Sequence, residues 1–240
     1  TLNRPDKKIL TVEDPVEYRI PGINQVQVHP QIGLAFPRVL RSFLRQAPNV
    51  VLVGEIRDRE TAEVAIQASL TGHLVFSTVH TNDAPSAVTR LLDMGVPAFL
   101  IATSLQGVLA QRLLRRLCSE CATEEDSSAL EQSVLGVAAG TKLKRPQGCR
   151  YCTGTGYRGR IGAYEWLGLD AGMREALFQS DDPSDFSAAA VASPNLKRLK
   201  HDAVSKAIAG LTTVEEVLRV TKVEVVADNE ETNQQPQSQE

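Results

Sequence analysis

Apolar positions fall into short β-branched runs separated by stretches with helical spacing. Residues 8–12 (K-I-L-T-V) form one such run, halted at Glu13-Asp14-Pro15 because proline offers no N–H to a strand ladder. Residues 25–28 make a second candidate strand after the turn at Pro21-Gly22. Over residues 35–45, Phe36, Val39, Leu40, Phe43 and Leu44 share one helical face, while Arg38, Arg41 and Arg45 line another. Residues 50–53 (V-V-L-V) are wholly apolar, as suits a parallel strand covered on both sides, and end in Gly54-Glu55. Residues 61–70 read as a helix rich in small side chains and residues 74–79 as a strand ending at His80. Spacing then predicts helices over 86–94 and 98–117, and a mainly helical region over 163–222 with breaks near Pro183, Pro194 and Gly210. Within that region, Thr213-Val214-Glu215-Glu216 has the form of a helix start. From about residue 223 the chain is Glu, Asp, Asn and Gln-rich, which predicts a disordered acidic tail.

Strands alternating with helices predict an α/β fold. Three of the strands run into ionisable groups: Glu13-Asp14, Glu55 and His80. Ligands of open α/β sheets bind beyond the carboxyl ends of the strands, so these termini suggest a single site. The plainer reading is that turns are polar, and the arginine stripe likewise fits a solvated helix face.

Composition changes this picture little. Apolar residues make up 42% and charged residues 23%, an ordinary globular balance. The net charge of -3 gives no support to a strong nucleic-acid binder. No apolar run reaches the roughly 18 residues of a membrane span.

The four cysteines carry more information. They form two C-x-x-C pairs, Cys118/Cys121 and Cys149/Cys152, separated by 27 residues. Two knuckles of this kind match tetrahedral structural zinc, because a two-residue spacer turns the backbone and aims both sulfurs at one ion. Four thiolates fill the tetrahedron, so no open coordination position is left for catalysis. Free thiols and a redox pair are the alternatives. Residues 153–162 hold four glycines in T-G-T-G-Y-R-G-R-I-G, implying tight turns around the second pair.

Several longer stretches carry a family resemblance: T-V-E-D-P-V-E-Y (residues 11–18), G-I-N-Q-V-Q-V (22–28), V-G-E-I-R-D (53–58) and T-G-H-L-V-F-S-T-V-H-T-N (71–82). R-R-L-C-x-x-C, G-C-x-x-C-x-G-T-G-Y-R-G-R and G-L-T-T-V-E-E-V-L-R-V-T (210–221) follow in order. Over roughly residues 7–222 the chain resembles the cytoplasmic secretion ATPases of bacterial type II secretion and their relatives that assemble type IV pili. The resemblance implies a RecA-like P-loop NTPase core, a four-cysteine zinc module and a C-terminal helical region, with ATP, Mg²⁺ and Zn²⁺ as cofactors. It implies a homo-hexamer that works at the inner membrane through secretion or pilus platform proteins, cytoplasmic itself, with no direct nucleic-acid partner. Expected borders are 1–117 for the core, 118–160 for the zinc module, 161–222 for the helical region and 223–240 for the tail.

By the same resemblance, Glu13 is the general base that orients attacking water, with Asp14 and Glu17 in the same aspartate box. Glu55, next to Gly54 in the Walker B region, organises Mg²⁺. His80 lies near the γ-phosphate and His73 supports it. Arg57, with Arg45 behind it, neutralises charge on the transferring group. Carboxylates, Mg²⁺ and positive charge against the γ-oxygens are what phosphoryl transfer needs.

Two features depart from the family pattern. No G-x-x-x-x-G-K-[ST] occurs in these 240 residues, so the backbone cradle and lysine for the β- and γ-phosphates are not among them. The core is accordingly expected to be truncated at its N-terminal side, and this chain alone to be inactive. Ala47-Pro48-Asn49 stands where an acidic D-P-D is usual. A truncated, non-catalytic zinc-bearing interaction protein is therefore the alternative from another functional class.

Overall fold

The computed structural model describes residues 2–179 and 183–221. In chain order the elements are β1 (Ile9–Glu13), β2 (Asn24–Gln27), α1 (Phe36–Leu44), β3 (Val50–Val53), α2 (Arg59–Leu70), β4 (Leu74–Ser77), α3 (Ala84–Asp93), α4 (Ala98–Ser104) and β5 (Gly107–Leu117). Then come β6 (Thr123–Asp126), α5 (Ala129–Leu135), β7 (Lys142–Arg145), β8 (Tyr157–Gly168), α6 (Ala171–Gln179), α7 (Pro183–Ala192), β9 (Leu196–Lys197), α8 (Leu199–Ile208) and α9 (Val214–Thr221). The expected acidic tail lies outside the described residues.

The chain divides into two compact units, Thr1–Gln111 with Ala163–Asp202, and Arg112–Gly162 with the chain from Ala203 on. These borders differ from the sequential ones expected over 1–117, 118–160 and 161–222. Each unit is built from two separate stretches, because β5 and β8 are long strands that cross the divide and sit side by side in one sheet, in the order β5-β8-β9.

In the first unit, four strands form a parallel sheet in the order β2-β1-β3-β4. Val12 and Val53, on the central strands, are fully buried, and Val39, Leu40 and Phe43 of α1 and Ala62, Val64 and Ala65 of α2 pack in the same core. The apolar face read from the sequence of α1 is thus the face that covers the sheet. Helix α2 starts where Asp58 accepts hydrogen bonds from the Thr61 amide (2.8 Å) and hydroxyl (2.9 Å), satisfying one of the orphan donors of the first turn. At the sheet's edge, β4 leaves Leu74 and Phe76 substantially exposed.

Two expected helices are corrected. Only 98–104 of the predicted 98–117 segment is helical, and the rest is the strand β5. The leucines recur at helical spacing, but on β5 Leu109 and Leu113 face solvent while Leu114 and Leu117 are buried. Pairing with β8 overrides the local period. Similarly, 163–168 continues β8 rather than starting a helical region, and β9 interrupts it again.

In the second unit, β6 and β7 pair antiparallel, with Thr123 opposite Arg145. Between them lies α5, which opens on a capping box: the Ser128 hydroxyl accepts from the Glu131 amide, and Glu131 accepts from the Ser128 amide at 2.8 Å. The segment between the cysteine pairs is therefore a built strand–helix–strand element. Among the described residues, no helix is long and apolar enough to cross a membrane.

Candidate active site and metal centre

Because β1, β3 and β4 are parallel neighbours, their carboxyl ends lie along one edge of the sheet. Glu13 ends β1, Glu55 follows β3 by two residues, and His80 follows β4 by three. Gly54 sets how closely the first two approach. Its N–H donates to the Val12 carbonyl at 2.7 Å, and a Cβ at this position would sit 3.2 Å from both that oxygen and Glu13 Cα. Any larger residue would push the two strand ends apart.

Glu13 is held by its own strand and its neighbour. Thr11, two residues earlier and so on the same strand face, donates its hydroxyl to Glu13 Oε1 at 2.5 Å. Gln25, opposite Thr11 in the β1–β2 register, donates Nε2 to the same oxygen at 3.0 Å. Glu55 is 8% exposed, and its Oε2 accepts from Arg57 Nε at 2.6 Å and contacts His80 Nε2 at 3.2 Å. Arg57 and His80 are themselves open to solvent, with side chains 68% and 83% exposed. The loop carrying His80 is tied to β3, because Thr78 donates its hydroxyl to the Gly54 carbonyl (2.6 Å) and its carbonyl accepts from the Ile56 amide (2.9 Å).

The result is a buried carboxylate beneath two exposed nitrogen-bearing side chains, beside a second carboxylate held rigidly by two donors. A cation and a polyanion are its natural partners. Hard carboxylate oxygens on adjacent strand ends fit the donor chemistry of Mg²⁺.

Asp14 and Glu17 lie on the exposed chain just after β1. The other expected site residues are placed elsewhere. His73 precedes β4, at the opposite end of that strand from His80, and its Nδ1 lies 2.9 Å from the Ala68 carbonyl and 3.1 Å from the Thr71 hydroxyl, closing the α2–β4 turn. Arg45 follows the last residue of α1, ahead of β3, and donates to the Arg41 carbonyl at 2.9 Å. Both serve the amino-terminal side of the sheet. Arg41 of the same stripe pairs with Glu60 at 2.8 Å and Arg38 donates to the Gly33 carbonyl, as a solvated helix face would. Thr11 and Gln25 were not singled out from the sequence, although the two-residue period from Thr11 to Glu13 carries the signal.

In the second unit the four cysteine sulfurs all lie within 4.8 Å of one another. Sγ–Sγ separations are 4.0 Å for Cys118–Cys149, 3.8 Å for Cys121–Cys152 and 3.8 Å for Cys149–Cys152. A tetrahedron of sulfurs about 2.3 Å from zinc has edges of about 3.8 Å. The backbone is shaped to allow this: Gly148 has φ +97°, and a Cβ there would lie 2.5 Å from the Gly154 carbonyl oxygen. Burial pushes the Cys121 thiol up to about 12. Burial acts in the same direction on Cys152, but the amides of Cys149 and Gly156, each 3.2 Å away, donate to its sulfur and hold it at about 6. A divalent cation held by the four sulfurs would favour the thiolate form that burial opposes at Cys121.

A family model described as "Type II/IV secretion system protein" matches residues 1–219. The chain belongs to that family. Within it, the chain is 51% identical over 223 residues to the type II secretion system protein E of Pectobacterium carotovorum subsp. carotovorum, covering 93% of this chain and 44% of that protein. It is 49% identical over 221 residues to the type IV pilus assembly ATPase PilB of Thermus thermophilus, covering 90% of this chain and 25% of PilB. The chain therefore spans less than half the length of these curated relatives. Among solved structures, the pilus retraction motor PilT with bound ADP superposes with a TM-score of 0.64 at 26% identity, over 92% of this chain and 54% of that one. The α/β core described above is thus that of a secretion ATPase family member.

Proposed function

We propose that this chain is the hydrolytic half of an ATPase that powers type II protein secretion. The observation that carries the reading is the joint placement of Glu13, Glu55, Arg57 and His80 on one carboxyl edge of a parallel sheet. In this reading Glu13, oriented by Thr11 and Gln25, accepts the proton of the attacking water. Glu55 would hold Mg²⁺ through water, and the ion would offset charge on the β- and γ-phosphates. Arg57 and His80, being exposed, would turn to phosphate oxygens once Mg²⁺ offsets the charge of the buried Glu55, which otherwise needs them as partners. Asp14 and Glu17 tune the same edge, and Gly54 keeps it narrow. Arg45 and His73 act only by supporting the sheet from its far side.

The same reading takes the four cysteines as a structural zinc site and the active form as a homo-hexamer, cytoplasmic and attached to the inner membrane through platform proteins. The lysine and backbone cradle for the phosphates come from outside these 240 residues, so this chain alone does not turn over ATP. Pilus assembly is the second reading, favoured by the near-equal identity to PilB. Loss of exported enzymes against loss of surface pili in a deletion strain separates the two.

Glu13→Gln in the full-length protein tests the assignment. Nucleotide binding should persist while hydrolysis falls by about 10²-fold or more, as removal of a general base requires. Turnover near the parental rate would remove Glu13 from that role.

A further inference from the structure

Glu165 is a buried carboxylate that none of the chemistry above uses. It lies on β8, is 8% exposed, and each of its oxygens accepts a backbone N–H from the first residue of a different helix. Oε1 accepts from Ala84, the first residue of α3, at 2.7 Å, and Oε2 accepts from Leu199, the first residue of α8, at 3.2 Å. Both amides belong to the orphan donors at helix starts, and both helix dipoles present their positive ends to the carboxylate. One side chain thus caps two helices that are 115 residues apart in sequence.

Ala84 is only four residues beyond His80. The loop between β4 and α3 is fixed at its start by Thr78 on Gly54 and Ile56. Inside it, Thr81 donates to the Asp83 carbonyl and the Asp83 side chain accepts from the Ser86 amide. At its end, Glu165 reaches in from outside the loop and its helix. His80 sits between these two fixed points, with its ring exposed and reaching back to Glu55. A loop held at one end only would let the imidazole drift from the carboxylate by the ångström or so that costs a positioned group its effect.

We propose that Glu165 is a positioning residue for His80: by capping α3 it sets where the imidazole stands against Glu55. This rests on the ATPase reading of the site. A carboxylate is required because two N–H donors need two acceptor oxygens. Glutamine supplies one, and turns an N–H₂ toward the other amide.

The test compares Glu165→Gln, His80→Gln and the double variant in the full-length protein. Glu165→Gln should lower kcat for Mg-ATP about tenfold with KM for ATP unchanged within about twofold. Added to His80→Gln, it should lower kcat no further, because its effect passes through His80. Multiplicative losses in the double variant, or a kcat equal to the parent, overturn the proposal. A second readout does not depend on turnover. In ¹⁵N-labelled protein the His80 ring resonances should move in Glu165→Gln while those of the amides around Cys149 and Cys152 stay in place. An unmoved His80 ring refutes the positioning role even if the protein proves not to be an ATPase. A parent without ATPase activity, but with His80 moved, refutes the functional reading and leaves the positioning role standing.

Discussion

Glu216 offers a quantitative check on how the second unit is held together. The side chain is fully buried, yet it is charged. Burial pushes its carboxyl up, but the bonds from Arg219 and from the backbone and side chain of Arg115 outweigh that and hold it at about 2, against an ordinary value of 4.5. The geometry is complete on both oxygens. Oε1 accepts from Arg115 Nε and Arg219 Nε, each at 2.9 Å, and Oε2 accepts from the Arg115 amide and an Arg219 guanidinium nitrogen, each at 2.7 Å. These bonds join α9 to β5. A folded pKa below the unfolded one gives stability that is present above pH 4.5 and is lost as the pH falls toward 2. A tenfold change in proton affinity is worth about 1.4 kcal/mol, so the carboxylate contributes roughly 3 kcal/mol at about pH 6, of which about 2 kcal/mol is gone by about pH 3. Glu216→Gln keeps the volume and removes the charge. Urea denaturation followed by circular dichroism at about pH 6, 4.5 and 3 should give a parent-minus-variant difference that shrinks in this way. Glu131, which Arg145 holds at about 2, and acid loss of any metal affect both proteins and cancel in the difference. A difference that stays constant across that pH range would refute the reasoning, as would a variant as stable as the parent at its upper end.

Two further outcomes follow from local geometry. Purified protein should carry about one Zn²⁺ per chain, and chelation or Cys149→Ser should release it and destabilise the second unit; absence of zinc by elemental analysis, with four freely reactive thiols, rejects the metal centre. Ala47 has φ +47°, a conformation that strains an L-residue, so Ala47→Gly should raise stability by up to about 1 kcal/mol, read as a higher melting temperature, and a lowered one contradicts the strain.

The first sheet was legible because its residues obey one rule each. The run V-V-L-V is buried on both sides, and the apolar stripe of α1 is one-sided. The cysteine spacing needed no structure to suggest a cluster. What failed were positions where an inward-facing residue is polar. On β5, Arg112 stands between the inward Ala110 and Leu114, so strict alternation is broken and the leucine spacing reads as helix. On β8 the alternation Ala163, Glu165, Leu167 is regular in burial, but the central member is a carboxylate. The same residue that hid the strand is the one that caps α3 and α8. Likewise, the sequence set His73 beside His80 within one motif, although a four-residue strand separates them by its full length. Motif adjacency does not survive a strand that runs from one edge of the sheet to the other.

The charge at the carboxyl edge bears on how the proposed nucleotide site would work. Glu13, Asp14, Glu17 and Glu55 cluster at or just beyond the strand ends, and Arg57 is a permanent cation paired with one of them. A bare nucleotide polyphosphate would meet a surface of its own sign there. Arg57 is moreover already engaged by Glu55 at 2.6 Å, so its charge reaches outward only when something else neutralises that carboxylate. In the proposed site a hydrated divalent cation near Glu55 would supply that neutralising charge, leaving Arg57 and His80 able to face phosphate oxygens. On the proposed reading, donors other than these would hold the phosphates. Glu13 is held by Thr11 and Gln25 rather than through Glu55, so in the proposed role of a base acting on water it would keep its aim independently of the cation.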